Sequence, residues 1–421
     1  MTHSTTIQFI VFSIIMGLTM SDNLLNSPST AYWGAIFSLF IGVTSLIAAE
    51  FIPISLLTPI AQDLNITEGQ AGQSVTMVGI FAVVTSLVLA PMTQNINRRV
   101  VLFTFSILLV LSNLFIAVAP NYFIMLIGRA LLGICVGGFW SMASAVVLQL
   151  APSKDIPRAL SIVYAGVSVA TIISLPLASY LGHLVGWRNV FFIAATLSFI
   201  ALVWQRLTLP SLPPRESSNF KNMFALFKQN WCFFGIIGTI FSYGGYHLFF
   251  TYLRPFLEHN LALQAGPLTL ILLVFGIANC IGTFVAGLLL GRFFRPVMIA
   301  IHLVLAAIAM LLFIKYRFLS SDNVTMDTTL VIAWGFVFGF IPVGWSTWIT
   351  RTLADKAELV GGLSVAAIQF SIGLAAGVGG MTFDQLGVSG IFITATIICI
   401  MGAIITALCF SLYRKATGNL A

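Results

Sequence analysis

Apolar residues follow one another along this chain in twelve runs, each separated from the next by a polar stretch. An α-helix rises 1.5 Å per residue, so about 20 apolar residues cross the hydrocarbon core of a bilayer. The pattern therefore predicts twelve membrane-spanning helices, numbered here as spans 1 to 12, at about 33–60, 71–92, 100–119, 122–150, 159–184, 189–207, 231–255, 267–290, 296–315, 329–350, 359–381 and 388–413.

The longest polar break between spans divides them into two sets of six. Residues 208–230 begin Pro-rich and continue as an amphipathic stretch, which we interpret as a cytoplasmic linker. We predict one six-helix half over 33–207 and a second over 231–413, with tails at 1–32 and 414–421. The expected fold is an all-α membrane protein with two pseudo-symmetric halves.

The N-terminal tail contains a short apolar stretch that no Lys or Arg precedes, unlike the stretch in a signal peptide. Met20 opens a polar sequence that resembles a natural start. We expect translation to begin at Met20, which makes residues 1–19 an upstream extension. A short membrane-surface helix is the alternative.

Composition agrees with a lipid environment. Charged residues make up 7% of the 421 residues and apolar residues 59%, whereas soluble domains carry about 25% charged residues. The net charge of +7 follows membrane topology: with the N-terminus in the cytoplasm, 14 of the 19 Lys and Arg residues fall on the inner side and 4 on the outer side. We expect a multi-pass protein of the bacterial inner membrane with both termini cytoplasmic.

Two ionisable residues of opposite charge lie within predicted spans, Glu50 in span 1 and Arg129 in span 4, while the other eleven acids fall in loops or tails. Counted from the outer ends of their spans, they lie at similar depths of about 15 Å and 10 Å. We expect them to face each other or to share a water-filled cavity. A static ion pair that only locks two helices is the alternative, although apolar replacements of buried pairs are often as stable.

Glu50 is the candidate proton carrier. Apolar surroundings favour a neutral carboxyl, whereas a nearby guanidinium favours the carboxylate. Exposure to water or movement of Arg129 is therefore expected to change the protonation of Glu50. Arg129 keeps its own proton, and it either sets the proton affinity of Glu50 or holds the substrate.

The two halves carry related sequences around a tryptophan, GGFWS in span 4 and PVGWS in span 10. Trp140 and Trp345 occupy matching places in them. Either ring can stack on a planar base, which contributes about 1–3 kcal/mol per base in nucleic-acid binders. A place in the aromatic belt at the membrane interface is the alternative, which suits Trp345 better than Trp140 because Trp140 lies about ten residues from the inner end of its span.

Further polar side chains in the spans are candidates for substrate binding. They are Tyr243, Tyr246 and His247 in span 7, Asn279 in span 8 and Gln369 in span 11. Polar groups at lipid depth are expected to face protein or water, so hydrogen bonds between helices are the alternative to a binding role. His302 in span 9 is interpreted as structural.

Several motifs resemble the major facilitator superfamily. APMTQNINRR (90–99) is similar to its loop between spans 2 and 3, with Gln94 and Asn97 replacing the usual acid and glycine. The antiporter pattern RxxxGxxxG is found at Arg129 in span 4, and SLPLA (174–178) retains one proline of the span 5 motif. The resemblance implies conformational roles for Arg98, Arg99, Gly133, Gly137 and Pro176, although helix packing alone also explains the two glycines.

Longer stretches, such as AEFIPISLLTPIAQDLNITEGQAGQSV (49–75) and PVGWSTWITRTLAD (342–355), resemble nucleoside exporters of the drug:proton antiporter group. The resemblance implies proton antiport by alternating access, with export of purine ribonucleosides such as inosine and guanosine. Sugar or drug efflux by the same mechanism is the alternative. A membrane sensor that does not transport is a further reading, disfavoured because the chain adds no soluble domain.

The sequence carries no phosphate-binding GxxxxGK[ST] and no HExxH, so we expect neither an ATP-driven pump nor an enzyme. Its five cysteines lack metal-ligand spacing and are interpreted as core residues. We expect no cofactor and no metal, with protons as the coupling ion. The expected partners are a small-molecule substrate and the lipid bilayer, with no nucleic acid, and the protein is expected to be a monomer.

Overall fold

The computed structural model describes residues 30–93, 95–152, 155–213, 229–319, 324–353 and 357–418. In these ranges the chain is almost entirely helical, and no strand occurs among them. Residues 1–29 and 214–228 lie outside the described residues, and with them the predicted upstream extension and most of the predicted linker. The linker boundaries stay a prediction.

The first half contains six spans with these bounds: Trp33–Ser55 for span 1, Glu68–Met92 for span 2, Arg98–Ala117 for span 3, Tyr122–Leu150 for span 4, Ile156–Val185 for span 5 and Trp187–Thr208 for span 6. A short helix, Leu57–Leu64, follows span 1. Span 2 begins three residues earlier than predicted because Thr67 and Gln70 form a reciprocal capping box at its N-terminus.

The second half contains three long helical stretches and one interrupted span. Span 7 is Asn230–Phe250, continued by Leu253–Pro255 and the π-helical turn Phe256–Asn260. Ala265–Ile314 holds spans 8 and 9, followed by the π-helical turn Lys315–Leu319. Span 10 is split into Val324–Phe338 and Phe340–Thr352, and Ala357–Thr417 holds spans 11 and 12.

The predicted twelve spans are consistent with the way in which two long helices bend. Ten helical segments in the described part of the chain are long and apolar enough to cross a membrane, and two of them, Ala265–Phe318 and Gly362–Thr417, have 54 and 56 residues. Each contains a non-helical residue near its middle, Phe293 and Gly387. Gly387 has a φ of 66°, which glycine adopts without the strain of a Cβ atom. Each long segment therefore has the length and the central bend expected of two membrane spans.

The two halves meet through glycines where spans 2 and 11 cross. A Cβ atom on Gly79 would lie 2.6 Å from the Gln369 carbonyl oxygen and 2.8 Å from the Gly373 Cα. Thr76 on the same face of span 2 donates a hydrogen bond to the Gly373 carbonyl at 2.8 Å. Small residues let the two backbones approach closely, and this crossing places Gln369 beside span 1.

Candidate functional site

Arg129 is fully buried in the first half and binds backbone, with three hydrogen bonds to carbonyl oxygens. Its Nε donates to Ser74 at 3.2 Å, one terminal nitrogen donates to Ala49 at 2.9 Å, and the other makes a longer contact of 3.5 Å to Glu50. These bonds join span 4 to spans 1 and 2. Arg129 therefore acts as a fixed cross-link within the first half.

The acceptor at Ala49 exists because of a proline four residues later. In a helix the carbonyl of residue 49 would accept from the N–H of residue 53. Pro53 lies inside the span 1 helix and has no N–H to give. Arg129 supplies the missing donor, so the sequence AEFIP contains both the acid and the free carbonyl that positions the arginine beside it.

The Glu50 carboxyl is directed towards Gln369 of the second half and not towards the Arg129 guanidinium. Glu50 is 5% exposed, and among the described residues no ion pair joins it to Arg129, whose guanidinium is occupied by carbonyls. Instead its Oε1 accepts a long hydrogen bond of 3.5 Å from the amide nitrogen of Gln369. The two residues are neighbours, but no hydrogen bond joins their side chains among the described residues, and the shared water-filled cavity stays a prediction. The static ion pair has no support in this conformation.

Gln369 reaches Glu50 from the opposite half. It is 6% exposed, and its amide oxygen has no hydrogen-bond partner in the described part of the chain. Asn279 in span 8 is also buried, and its amide nitrogen likewise lacks a partner among the described residues. These two buried amide atoms, one acceptor and one donor, are among 16 buried side-chain atoms without a hydrogen-bond partner in the described residues.

A cluster of aromatic rings surrounds Phe338 in the second half. The Tyr246 ring stacks on Phe338 with centroids 3.7 Å apart, and Tyr243 and His247 present their rings to the same phenylalanine. The His247 Nδ1 lies 2.9 Å from the Tyr243 carbonyl oxygen, to which it donates. Phe338 was not among the predicted residues. It ends a helix at the break in span 10, a tertiary feature that periodicity does not reveal.

The cluster is connected to span 1 through phenylalanines. Phe51 follows Glu50 in the sequence and meets Phe250 of span 7 edge to face, with centroids 5.7 Å apart. Phe250 in turn contacts His247 at 5.7 Å. The ring of His247 is therefore linked to the segment that carries Glu50 through two successive aromatic contacts.

The two tryptophans of the repeated sequence have different surroundings. Trp140 is partly buried and stacks on Tyr164 with centroids 5.6 Å apart. Trp345 is buried in the core of the second half, where its indole nitrogen donates to the Ser242 hydroxyl at 2.9 Å. Ser242 also contacts His302, the histidine interpreted as structural, at 2.7 Å. Trp345 therefore lies in the protein core rather than at the membrane interface.

The arginines of the motif between spans 2 and 3 donate to oxygen atoms at the ends of neighbouring spans. Arg98 donates to the carbonyl and hydroxyl oxygens of Thr93 at 3.1 and 2.5 Å, and Arg99 donates to the Arg206 carbonyl at 3.0 Å. Asn97, at the usual glycine position, caps span 3 by accepting from the Arg99 backbone.

The two glycines of span 4 face span 2, and Pro176 lies inside span 5. A Cβ atom on Gly133 would lie 2.5 Å from the Val78 carbonyl oxygen, and Gly137 contacts Ala82 in the same way. This is the close helix packing that was the alternative to a conformational role, and both readings require glycine here.

The predicted outer end of the molecule is held closed by contacts between the halves. Asp384, at the end of span 11, accepts from the Thr67 hydroxyl at 2.7 Å and from the Gly69 N–H at 3.1 Å. It thus lies at the N-terminus of span 2, where a helix dipole favours negative charge. Further hydrogen bonds between the halves join His259 to Glu68, Arg254 to the Ser55 carbonyl and Tyr252 to the Gly69 carbonyl.

A second buried pair of charges lies within the second half. Asp327 was expected in a loop and Lys315 at the outer end of span 9, and both are about 2% exposed. Their side chains form an ion pair at 2.5 Å, and the Tyr316 hydroxyl donates to the same carboxylate at 2.8 Å. Asp327 lies in the first turn of span 10, which begins five residues earlier than predicted. Pairing with Lys315 allows the acid to be buried there.

In the described part of the chain, no group of three or more His, Cys, Asp or Glu side chains is arranged to hold a metal. The site that the structure assembles is therefore a carboxyl, an amide and a set of aromatic rings at the boundary between two helical halves.

Comparison with known proteins gives three findings. A family profile described as Major Facilitator Superfamily matches residues 39–364 and 236–421. The purine ribonucleoside efflux pump NepI of Escherichia coli (strain K12) is 41% identical over 376 residues, which cover 89% of this chain and 94% of that protein. The crystal structure of the nucleoside transporter NupG superposes with a TM-score of 0.72 at 15% identity, covering 90% of this chain and 99% of that one.

Proposed function

This chain belongs to the major facilitator superfamily and is a multi-pass membrane transporter, and we propose that it exports purine ribonucleosides such as inosine and guanosine in exchange for protons. The relative named as a purine ribonucleoside efflux pump supports the substrate class, because its similarity extends over both halves of the chain.

The position of Glu50 is the observation that carries proton coupling. Its buried carboxyl lies where spans of the two halves meet, and in the described residues it has no fixed cation partner. A carboxyl so placed changes its surroundings whenever the halves move apart. Ionisable groups within membranes are costly and usually functional.

Alternating access then follows from the closed outer end. When this end opens, Glu50 becomes accessible to outside water and takes up a proton. The protonated protein closes its outer end around the contacts of Asp384, as in the present conformation. Release of the proton to the cytoplasm allows a nucleoside to bind, and the loaded protein returns to the outward-open form.

The nucleoside is proposed to bind between the aromatic cluster of the second half and Trp140. An aromatic face suits a purine ring, and the unbonded amide atoms of Asn279 and Gln369 offer one donor and one acceptor to a base edge or ribose. Trp345 is left out of this binding site, because its indole nitrogen is already bonded to Ser242 within the second half.

The proposed setting is the bacterial inner membrane, with both termini in the cytoplasm and the protein acting as a monomer. The excess of Lys and Arg on the inner loops supports this orientation.

Reconstituted vesicles containing a pH-sensitive dye test the proposal. A pH gradient is imposed, and inosine, guanosine, a pentose and a cationic drug are added in turn. Proton movement is expected with the nucleosides and is expected to disappear in Glu50→Gln. The matched control is Asp63→Asn, which removes a carboxylate from an exposed ion pair with Arg188 and should leave the signal intact.

Each other outcome has a definite meaning. Proton movement only with the pentose or the drug would replace nucleoside export by sugar or drug efflux. Binding of nucleoside without proton movement would favour a non-transporting sensor, and proton-driven flux retained in Glu50→Gln would remove the role assigned to that residue.

A further inference from the structure

Gln369 is the one polar side chain that the second half presents to the Glu50 carboxyl through a hydrogen bond in the described residues. From its geometry we infer that Gln369 is a positioning residue that recognises the protonated form of Glu50 and thereby links proton uptake to closure of the outer end. This inference rests on the proposed role of Glu50 as the proton carrier.

The chemistry of the two side chains supports this role. A carboxylate only accepts hydrogen bonds, whereas a carboxylic acid accepts through one oxygen and donates through the other. The Gln369 amide nitrogen already donates towards Glu50, and the amide oxygen of the same group has no donor among the described residues. A proton on Glu50 is the donor that this oxygen lacks.

With that proton present, the two side chains can form a pair of parallel hydrogen bonds. The amide N–H donates to one carboxyl oxygen, and the acid O–H donates to the amide oxygen. Both groups are buried, so a bond left unmade is not replaced by water. Protonation of Glu50 therefore adds a second hydrogen bond to this contact between the halves.

This preference operates only while the outer end is closed. Gln369 is brought to Glu50 by the crossing of spans 2 and 11, where Gly79 packs against the backbone of residues 369 and 373. Separation of the halves at this crossing removes the amide from the carboxyl. A protonated Glu50 consequently favours the closed form, which is the direction that proton import requires.

Other titratable groups near span 1 are engaged differently. Arg129 from span 4 binds backbone carbonyls, including that of Glu50, and His247 from span 7 is separated from span 1 by Phe250. The remaining titratable groups of the helices packed against span 1 are Asp63 in the helix that follows it, Glu68 in span 2, Arg98 and Arg99 in span 3, Tyr122 and Cys135 in span 4, Arg158, Tyr164, Tyr180 and His183 in span 5, Arg188 and Arg206 in span 6, and Arg254 in the short helix Leu253–Pro255.

The test measures how guanosine–proton exchange depends on pH in vesicles containing wild-type protein or one of three variants. In Gln369→Leu the protonated acid loses both bonds of the pair and the carboxylate loses one, so the pH midpoint of exchange is expected to fall. In Gln369→Glu two carboxyls share one proton, and the midpoint is expected to rise.

Thr76→Val is the matched control, because it removes a different hydrogen bond from the same crossing without touching Glu50. Its midpoint should equal that of the wild type. An equal shift in Thr76→Val and Gln369→Leu, or no shift in either Gln369 variant, would overturn the inference.

A spectroscopic measurement separates this inference from the proposed function. The infrared band of the neutral carboxyl is identified by its disappearance in Glu50→Gln, and it should move to higher frequency in Gln369→Leu, where the acid is no longer hydrogen-bonded. If Glu50→Gln keeps pH-driven exchange, the proposed proton carrier is wrong. If coupling is lost in Glu50→Gln while the infrared band and the pH midpoint are unchanged in the Gln369 variants, only the inference about Gln369 is wrong.

Discussion

Each half of the molecule buries a carboxylate and a cation, and the two arrangements differ in what holds the acid. In the second half, Asp327 is bonded to Lys315 and Tyr316 of the same half, so it keeps its partners when the halves move. In the first half, Arg129 is bonded to backbone carbonyls, and Glu50 is left facing the opposite half. Burial of a charge therefore does not by itself mark a functional site. A functional acid is distinguished by surroundings that change with conformation.

The largest expected effect is the loss of coupling in Glu50→Gln. The amide cannot carry a proton, yet it can still be hydrogen-bonded in the same place, so pH-driven nucleoside exchange should vanish while thermal stability in detergent stays near that of the wild type. Asp327→Asn is the contrasting variant and should retain coupled exchange. Equal loss of exchange in both variants would erase the distinction between the two acids.

The ion pair of the second half is expected to matter for stability. Lys315→Met leaves Asp327 buried without its cation, which should lower the free energy of unfolding by about 3–5 kcal/mol. Removal of both charges in Lys315→Met with Asp327→Leu should recover most of that loss, since a well-packed apolar pair often replaces an ion pair without cost. Thermal unfolding in detergent measures both variants.

If the double variant recovers its stability but not its exchange, the Lys315–Asp327 pair has a role in transport beyond folding. That result would contradict the contrast drawn between the halves.

The paired tryptophans extend the comparison to the substrate. Trp140→Leu removes a partly exposed ring and should weaken guanosine binding by about 1–3 kcal/mol, the usual contribution of stacking on a base. Trp345→Phe keeps a ring in the core and loses only the bond to Ser242, so affinity should change little. Equilibrium binding of radiolabelled guanosine to purified protein compares them. The reverse order of effects would place the nucleoside nearer to span 10.

Asp384 provides the smallest expected effect, since it lies between the halves but at the end of a span. Asp384→Asn removes the charge at the N-terminus of span 2, an interaction of about 0.3–1 kcal/mol. The outward-open form should become a few times more populated, which spin labels on the outer ends of spans 2 and 11 can measure. Coupling to protons should persist. Its loss would mean that a second acid takes part.

Much of the architecture could be predicted from the sequence because lipid imposes a strong length rule. The twelve spans were recognised from apolar runs, and the two merged helices agree because Gly387 and Phe293 interrupt them where the runs are interrupted. The position of span 10 was less well predicted. Its start was set too late because Asp327 resembles a loop residue until its pairing with Lys315 is seen.

The candidate site was predicted in its members but not in its contacts. Glu50 and Arg129 stood out as charges in apolar runs and were expected to face each other or to share a water-filled cavity, whereas the structure directs their side chains to different partners. The carbonyl that occupies Arg129 is freed by Pro53, and this signal is readable in the sequence as a proline four residues after Ala49. The contact of Glu50 with Gln369 joins residues 319 positions apart and depends on a crossing of helices, which no local pattern encodes.

The bond between Arg129 and the Ala49 carbonyl also has a consequence for biosynthesis. The two residues are 80 positions apart, so at about 5–20 residues per second the ribosome delivers Arg129 roughly 4–16 s after Ala49. During that interval span 1 carries a carbonyl without a donor, and span 4 later brings an arginine that has no place in lipid alone. Each segment supplies the hydrogen-bonding group that the other lacks. Spans 1 to 4 are therefore expected to leave the insertion machinery together rather than one at a time.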